Sequence, residues 1–117
     1  MAIAVNATKQ VLADAYKTLA GSANVYVSLH TSDPGSTGAN ELSGGSYARV
    51  QGTWTSGTTG TLSMPELTFN SPAATITHVG LWSASTAGTF YDKAALVPNI
   101  TLSGAGTVKV TPSFTQS

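Results

Sequence analysis

Only one stretch of the chain carries a helical period. From Ala7 to Ala20 the apolar residues Val11, Leu12, Ala15, Tyr16 and Leu19 recur at steps of three and four, while Lys9, Asp14 and Lys17 face the other way. That spacing predicts a short amphipathic helix, with Asn6 as its N-cap and Gly21 as its stop. Its apolar stripe is expected to pack on a sheet; the alternative is an exposed face that docks a partner.

After Gly21 the period becomes two. In Asn24–His30, Val25, Val27 and Leu29 share one face and Tyr26, Ser28 and His30 the other, as a half-buried strand requires. From Thr31 to Ser46 the chain is dense in turn formers, with Asp33-Pro34-Gly35 as a tight turn. Unstructured loops of that length are uncommon in compact domains and are usually functional or mobile. Short strands then alternate with turn signals. We expect strands at Tyr47–Thr55 (Ala48, Val50 and Trp54 on one face), Thr59–Met64, Leu67–Phe69, Ala74–Ser83, Thr89–Val97, Asn99–Ser103 and Thr107–Phe114. Breaks fall at Ser56-Gly57, Met64-Pro65, Ser71-Pro72, Ala87-Gly88, Pro98 and Gly104–Gly106. This is the spacing of a sandwich or barrel. The fold class is therefore mainly β: an N-terminal amphipathic helix over about 7–20, a long loop at 31–46, and an antiparallel β-sandwich over 24–115, within a single domain 1–117.

Composition supports a folded chain and narrows its partners. The 117 residues are 41% hydrophobic and only 9% charged, the opposite of the disorder signature. A chain of this mass buries about two-thirds of its extended surface, enough for one core. Five basic residues balance five acidic ones. Scattered Lys9, Lys17, Arg49, Lys93 and Lys109 make no stripe that would neutralise phosphates, so we expect no nucleic-acid partner and no membrane partner. Ser and Thr supply 32 residues and cysteine none, which removes disulfides, thiolate metal sites and a cysteine nucleophile together. The N-terminus is too short and uncharged for a secretory signal, so synthesis in the cytoplasm is expected.

Candidate chemistry is sparse. His30, Asp33 and His78 are the only loosely grouped metal ligands, without paired spacing. No G-x-S-x-G elbow accompanies the serines, and neither Gly44-Gly45 nor Gly104–Gly106 has the strand–loop–helix context of a phosphate cradle. We expect no catalytic, cofactor or metal site. Trp54 and Trp82 read as core residues, although an exposed Trp would be the first candidate for stacking a sugar. His78 reads as a buried, hydrogen-bonded histidine.

The runs Val25-Tyr-Val-Ser-Leu-His-Thr-Ser-Asp-Pro-Gly35, Gly38-Ala-Asn-Glu-Leu-Ser-Gly-Gly-Ser-Tyr-Ala-Arg49 and Thr77-His-Val-Gly-Leu-Trp-Ser83, followed by Gly88-Thr-Phe90, resemble a family of small tailed-bacteriophage virion proteins variously labelled head decoration, tail fibre or minor tail proteins. The resemblance implies a non-enzymatic structural role in a virion assembled in the bacterial host. The leading expectation is a capsid decoration (cement) protein bridging major capsid protein subunits. The alternative is a tail-fibre or minor tail protein that contacts the host surface. Few charges to keep a lone monomer soluble suggest a homo-oligomer, with a trimer as the expected order. The loop and its flank supply the candidate interface residues Asp33, Glu41, Tyr47 and Arg49. Arg49 is the sole arginine, and its fixed donors suit an interface; the competing reading is a surface salt bridge to Glu41 or Asp33.

Overall fold

The computed structural model describes residues 3–117. Among the described residues one helix, α1 (Asn6–Lys17), precedes nine strands: β1 (Asn24–His30), β2 (Val50–Thr53), β3 (Thr55–Ser56), β4 (Thr61–Ser63), β5 (Leu67–Ser71), β6 (Ala74–Trp82), β7 (Phe90–Leu102), β8 (Gly106–Val110) and β9 (Ser113–Thr115). They form a four-stranded sheet in the order β2-β1-β6-β7, a three-stranded sheet β3-β4-β9 and a β5-β8 pair. The fold is mainly β and sandwich-like, with β1–β6, β6–β7, β3–β4 and β4–β9 all antiparallel.

Two compact units make up the described chain. The first comprises residues 3–25, Gly52–Leu67 and Val110–Ser117; the second comprises Tyr26–Gln51 and Thr68–Lys109.

In the first unit, α1 lies on β3 and β4, and here the expected polarity is reversed. Ala13 is its one fully buried residue, while Val11 is 67% and Leu12 43% exposed. The side turned to the sheet is the polar one. Gln10 Nε2 donates to Thr61 O (3.2 Å), and Gln10 Oε1 accepts from Gly60 N (3.0 Å) and Thr61 N (3.1 Å). Lys17 Nζ donates to Ser56 Oγ (2.8 Å), whose hydroxyl donates to Asp14 Oδ1 (2.6 Å). The reason lies in the surface offered. β3 is two hydroxyl residues long, and the start of β4 presents backbone N–H and C=O groups that need partners. Polar side chains satisfy those groups; Leu and Val would leave them unpaired. Apolar closure comes from Tyr16, which stacks on Phe114 (ring centroids 3.9 Å apart) and meets Trp54 edge-on at 6.2 Å. Trp54, Leu62 and Met64 are buried in this unit.

The helix ends differ slightly from expectation. Val5 occupies the N-cap position without a side-chain cap bond, and Asn6 is already helical. The helix closes at Lys17, and Gly21, at φ +83°, donates its N–H to Thr18 O as the chain turns away. Gly60 is needed for close approach: a Cβ there would stand 2.6 Å from Lys9 Cβ, and its φ is +89°.

In the second unit, β1 spans the expected residues, and Val27 and Leu29 are fully buried. Its opposite face is buried as well at Ser28 and His30. Phe69, Ile76, Trp82 and Val108 complete the core. Three strand expectations fail for readable reasons. Tyr47–Arg49 is not strand, because Tyr47 and Arg49 turn their side chains into a polar cluster. Pro98, expected as a break between two strands, sits inside β7. His78 pairs with Ala95 and Ile76 with Ile100, so Leu96–Asn99 bulge opposite Thr77. A residue without an N–H is tolerated at a bulge on an edge strand, and β7 is the edge. Near the C-terminus, the expected strand Thr107–Phe114 is interrupted at Thr111-Pro112, separating β8 from β9.

Candidate functional site

The long loop is ordered by its own chemistry. Asp33 Oδ1 accepts from Gly35 N (2.9 Å), and Pro34 O accepts from Gly38 N (3.1 Å) and Ala39 N (3.0 Å). Asn40 adopts φ +62° and donates from Nδ2 to Asp33 O (3.0 Å). The returning chain bridges His30 with Glu41, and Leu42 N donates to Leu29 O (2.8 Å). Pro34 and Leu42 plug the loop into the core.

Three of the four candidate interface residues meet in one cluster. Arg49 donates from Nε to Glu41 Oε2 (3.0 Å) and from Nη2 to Glu41 Oε1 (2.9 Å), a bidentate pair. Its Nη1 donates to Ala84 O and Ala87 O, both at 2.9 Å. The guanidinium carbon sits 3.7 Å from the centroid of Trp82, within cation–π range. Tyr47 donates its hydroxyl proton to Glu41 Oε2 (2.7 Å) and accepts from Leu29 N (3.1 Å). The Arg49 side chain is 8% exposed, so this is a buried clamp on the loop, β1 and the turn after β6. The salt bridge expected at the surface is made to Glu41, but with the Arg49 side chain buried rather than exposed. Asp33 stands apart, paired with Lys93 Nζ on the surface.

The electrostatics follow. Burial alone would raise the Glu41 carboxyl, but hydrogen bonds from Arg49 and Tyr47, with the Arg49 charge, hold it below the usual range. Burial and the Glu41 carboxylate push the Tyr47 phenol well up, so it stays protonated. At Asp33 the hydrogen bond from Lys93 lowers the carboxyl.

Beneath the clamp lies a second polar chain. His30 Nδ1 is 2.8 Å from Ala39 O, which can only accept, so Nδ1 carries the proton. Nε2 of the neutral ring then accepts from Ser28 Oγ (2.7 Å), and Ser28 Oγ accepts from Trp82 Nε1 (2.9 Å). Burial holds His30 below the ordinary histidine value, in keeping with a neutral ring. This Ser–His pair has the distance of a catalytic dyad but not its setting. Both residues are fully buried, and the second ring nitrogen faces a backbone carbonyl rather than a carboxylate. A Cβ on Gly80 would stand 2.7 Å from Ser28 Oγ and 2.8 Å from both His30 Nε2 and Phe90 Cε1, so only glycine fits there. Spacing shows Ser28 and His30 on one strand face; nothing in sequence shows that their partners are an indole and a loop carbonyl.

His78 is half-buried, with Thr77 Oγ1 2.8 Å from its Nδ1. Trp54 and Trp82 are 4% and 8% exposed, so neither offers a face to a sugar. Among the described residues no group of three or more His, Asp or Glu is placed to hold a metal ion, and no helix is long and apolar enough to cross a membrane. A shallow cleft of about 380 Å³ between Gly45-Ser46, Asn70–Pro72 and Ala105–Thr107 carries no titratable side chain.

Residues 4–114 match the family model described as Podophage GP4 fiber I protein gp80, and the chain belongs to that family. It is thus a tailed-phage virion structural protein. No curated protein matches the sequence.

Proposed function

We propose that the protein is a fibre component of the virion, non-enzymatic, acting through protein–protein contacts with copies of itself and with neighbouring tail proteins. The observation that carries this is the family match across 4–114. The sequence alone leaves the fibre as the alternative to capsid decoration; a family named for a fibre protein shifts the preference to the fibre. The fold is compatible with the role. A clamp of buried, mutually satisfied charges holds the 31–46 loop in one shape, and a fixed loop loses little entropy when it is covered by a partner.

The test is location and loss. Antibody labelling of virions should mark the fibres, with a few copies per particle, and a deletion phage should keep intact heads while adsorption falls. Labelling spread over the head in hundreds of copies, with normal adsorption but DNA release at lower temperature in the deletion phage, would overturn the fibre reading in favour of a cement protein on the major capsid protein.

A further inference from the structure

Among the described residues His30 is the one ionisable side chain that is fully buried, and the fibre reading gives it no task. Its proton count is fixed by what surrounds it. Ala39 O can only accept, so it takes the Nδ1 proton; Nε2 takes the Ser28 proton, and Ser28 Oγ takes the indole proton of Trp82. The bonds therefore run one way, from Trp82 to the loop. A proton added at Nε2 reverses the middle bond. Ser28 Oγ would then meet two N–H donors, from His30 and Trp82, and its own hydroxyl proton would lose the acceptor it has. A Cβ on Gly80 would already stand within 2.8 Å of Ser28 Oγ, His30 Nε2 and Phe90 Cε1, which leaves no room on that side for a water. Buried charge and orphaned hydroxyl together penalise the closed, protonated form.

The charged groups around the ring do not offset this. Glu41, on the loop, favours the imidazolium, but its carboxylate already accepts from Arg49 and Tyr47. Arg49, ahead of β2, and His78, on β6, both oppose a charge at His30. On β7, Phe90 turns its ring edge-on to His30 at 6.2 Å, Asp92 is exposed, and Lys93 pairs with Asp33 of the loop at the surface. The two sides of β1 at this point are held unequally. Toward β6, the strands pair at each position from Tyr26 to His30. Toward the loop there is one isolated bridge, His30 with Glu41, and two backbone bonds, Thr31 N to Asn40 O and Leu42 N to Leu29 O. A ring that must reach water does so past the loop.

We propose that His30 is a proton-operated latch for the 31–46 loop: the neutral ring keeps the loop shut on β1, and a proton at Nε2 releases it while β1 and β6 stay paired. The latch is independent of the fibre reading. A released ring takes up its proton at about pH 6.5 and the closed ring only at lower pH, so each pH unit in between favours release about tenfold.

The test is amide exchange on the full wild-type chain, with 15N histidine spectra of a His78→Asn variant, in which His30 is the only histidine left. At neutral pH the spectra should show the proton on Nδ1. Below about pH 6.5 the protection of the Thr31 and Leu42 amides should fall about tenfold per pH unit, the Trp82 indole N–H signal should shift with it, and the β signal in circular dichroism should be kept. His30→Gln should make the Thr31 and Leu42 protection independent of pH. A neutral ring protonated on Nε2, wild-type protection at Thr31 and Leu42 that does not change down to about pH 5, a loss of the β signal together with the loop, or the same pH dependence in His30→Gln would each overturn the proposal.

Discussion

The two units hold their surface segments by opposite means. In the first, a helix is fastened through Gln10, Asp14 and Lys17 to backbone groups and a hydroxyl, and its leucine and valine side chains are left outside. In the second, a loop rich in small polar residues is fastened by burying a charge pair, Arg49–Glu41, against Trp82. Hydrophobic pattern therefore gives the element in both cases but the buried face in only one. What decides the face is the surface it meets. β1 meets apolar neighbours and buries Val27 and Leu29; α1 meets the backbone amides of Gly60 and Thr61 and turns Gln10 to them.

The comparison breaks most sharply at Trp82. Its ring covers the Arg49 guanidinium and its indole N–H satisfies Ser28, so truncation opens a cavity and strips two polar groups at once. Trp82→Ala should cost about 3–5 kcal/mol, lowering the melting temperature by roughly 12–20 °C for a chain of this size. A shift of only a few degrees would mean that the second unit does not depend on the clamp.

Gln10→Ala is the corresponding cut in the first unit, and it should be milder. It removes the acceptor of two backbone N–H groups, Gly60 and Thr61, at a partly exposed site where water can replace it. About 1–2 kcal/mol is expected, felt locally: hydrogen exchange should quicken at Gly60 and Thr61 and stay unchanged at Val27 and Leu29. Equal acceleration in both units would show that the helix anchor stabilises the whole chain rather than its own unit.

The extent of legibility follows from range. β1 is readable to its boundaries because alternation is a local property, whereas the helix closes at Lys17, short of Gly21. The mainly β class and the core roles of Trp54 and Trp82 come from the same local signals. Three of the four candidate residues converge, because Glu41, Tyr47 and Arg49 are close in sequence and chemically matched. What stays hidden depends on distant backbone. The carbonyls of Ala84 and Ala87 that receive Arg49 carry no side-chain signal, and the amides of Gly60 and Thr61 that turn α1 over cannot be foreseen from the helix. The bulge that absorbs Pro98 depends on β7 being an edge, which is a property of the sheet order.

The finest discrimination between the units is their response to acid. His30 is buried and held below the ordinary histidine value of 6.5, so the unfolded chain takes up a proton that the folded one refuses. Stability rises with pH wherever the unfolded state binds more protons. The contribution from neutral His30 is therefore fully present above about pH 6.5 and is lost as pH falls toward its lowered folded value. Glu41 is also lowered, from an ordinary 4.5, and its contribution is lost in a second stage at lower pH. Charged or titratable groups near His30 are Glu41, Arg49 and His78. In the first unit, Asp14 is lowered mainly by its hydrogen bond with Ser56 but is solvent-exposed, so screening leaves it a small part. Denaturant midpoints should thus fall as pH drops below about 6.5 and fall further below about 4.5. His30→Gln should flatten the first stage, while Asp14→Asn leaves it unchanged. A wild-type midpoint that is level across that first stage would refute the neutral His30 assignment, and with it the proton order along Ala39, His30, Ser28 and Trp82.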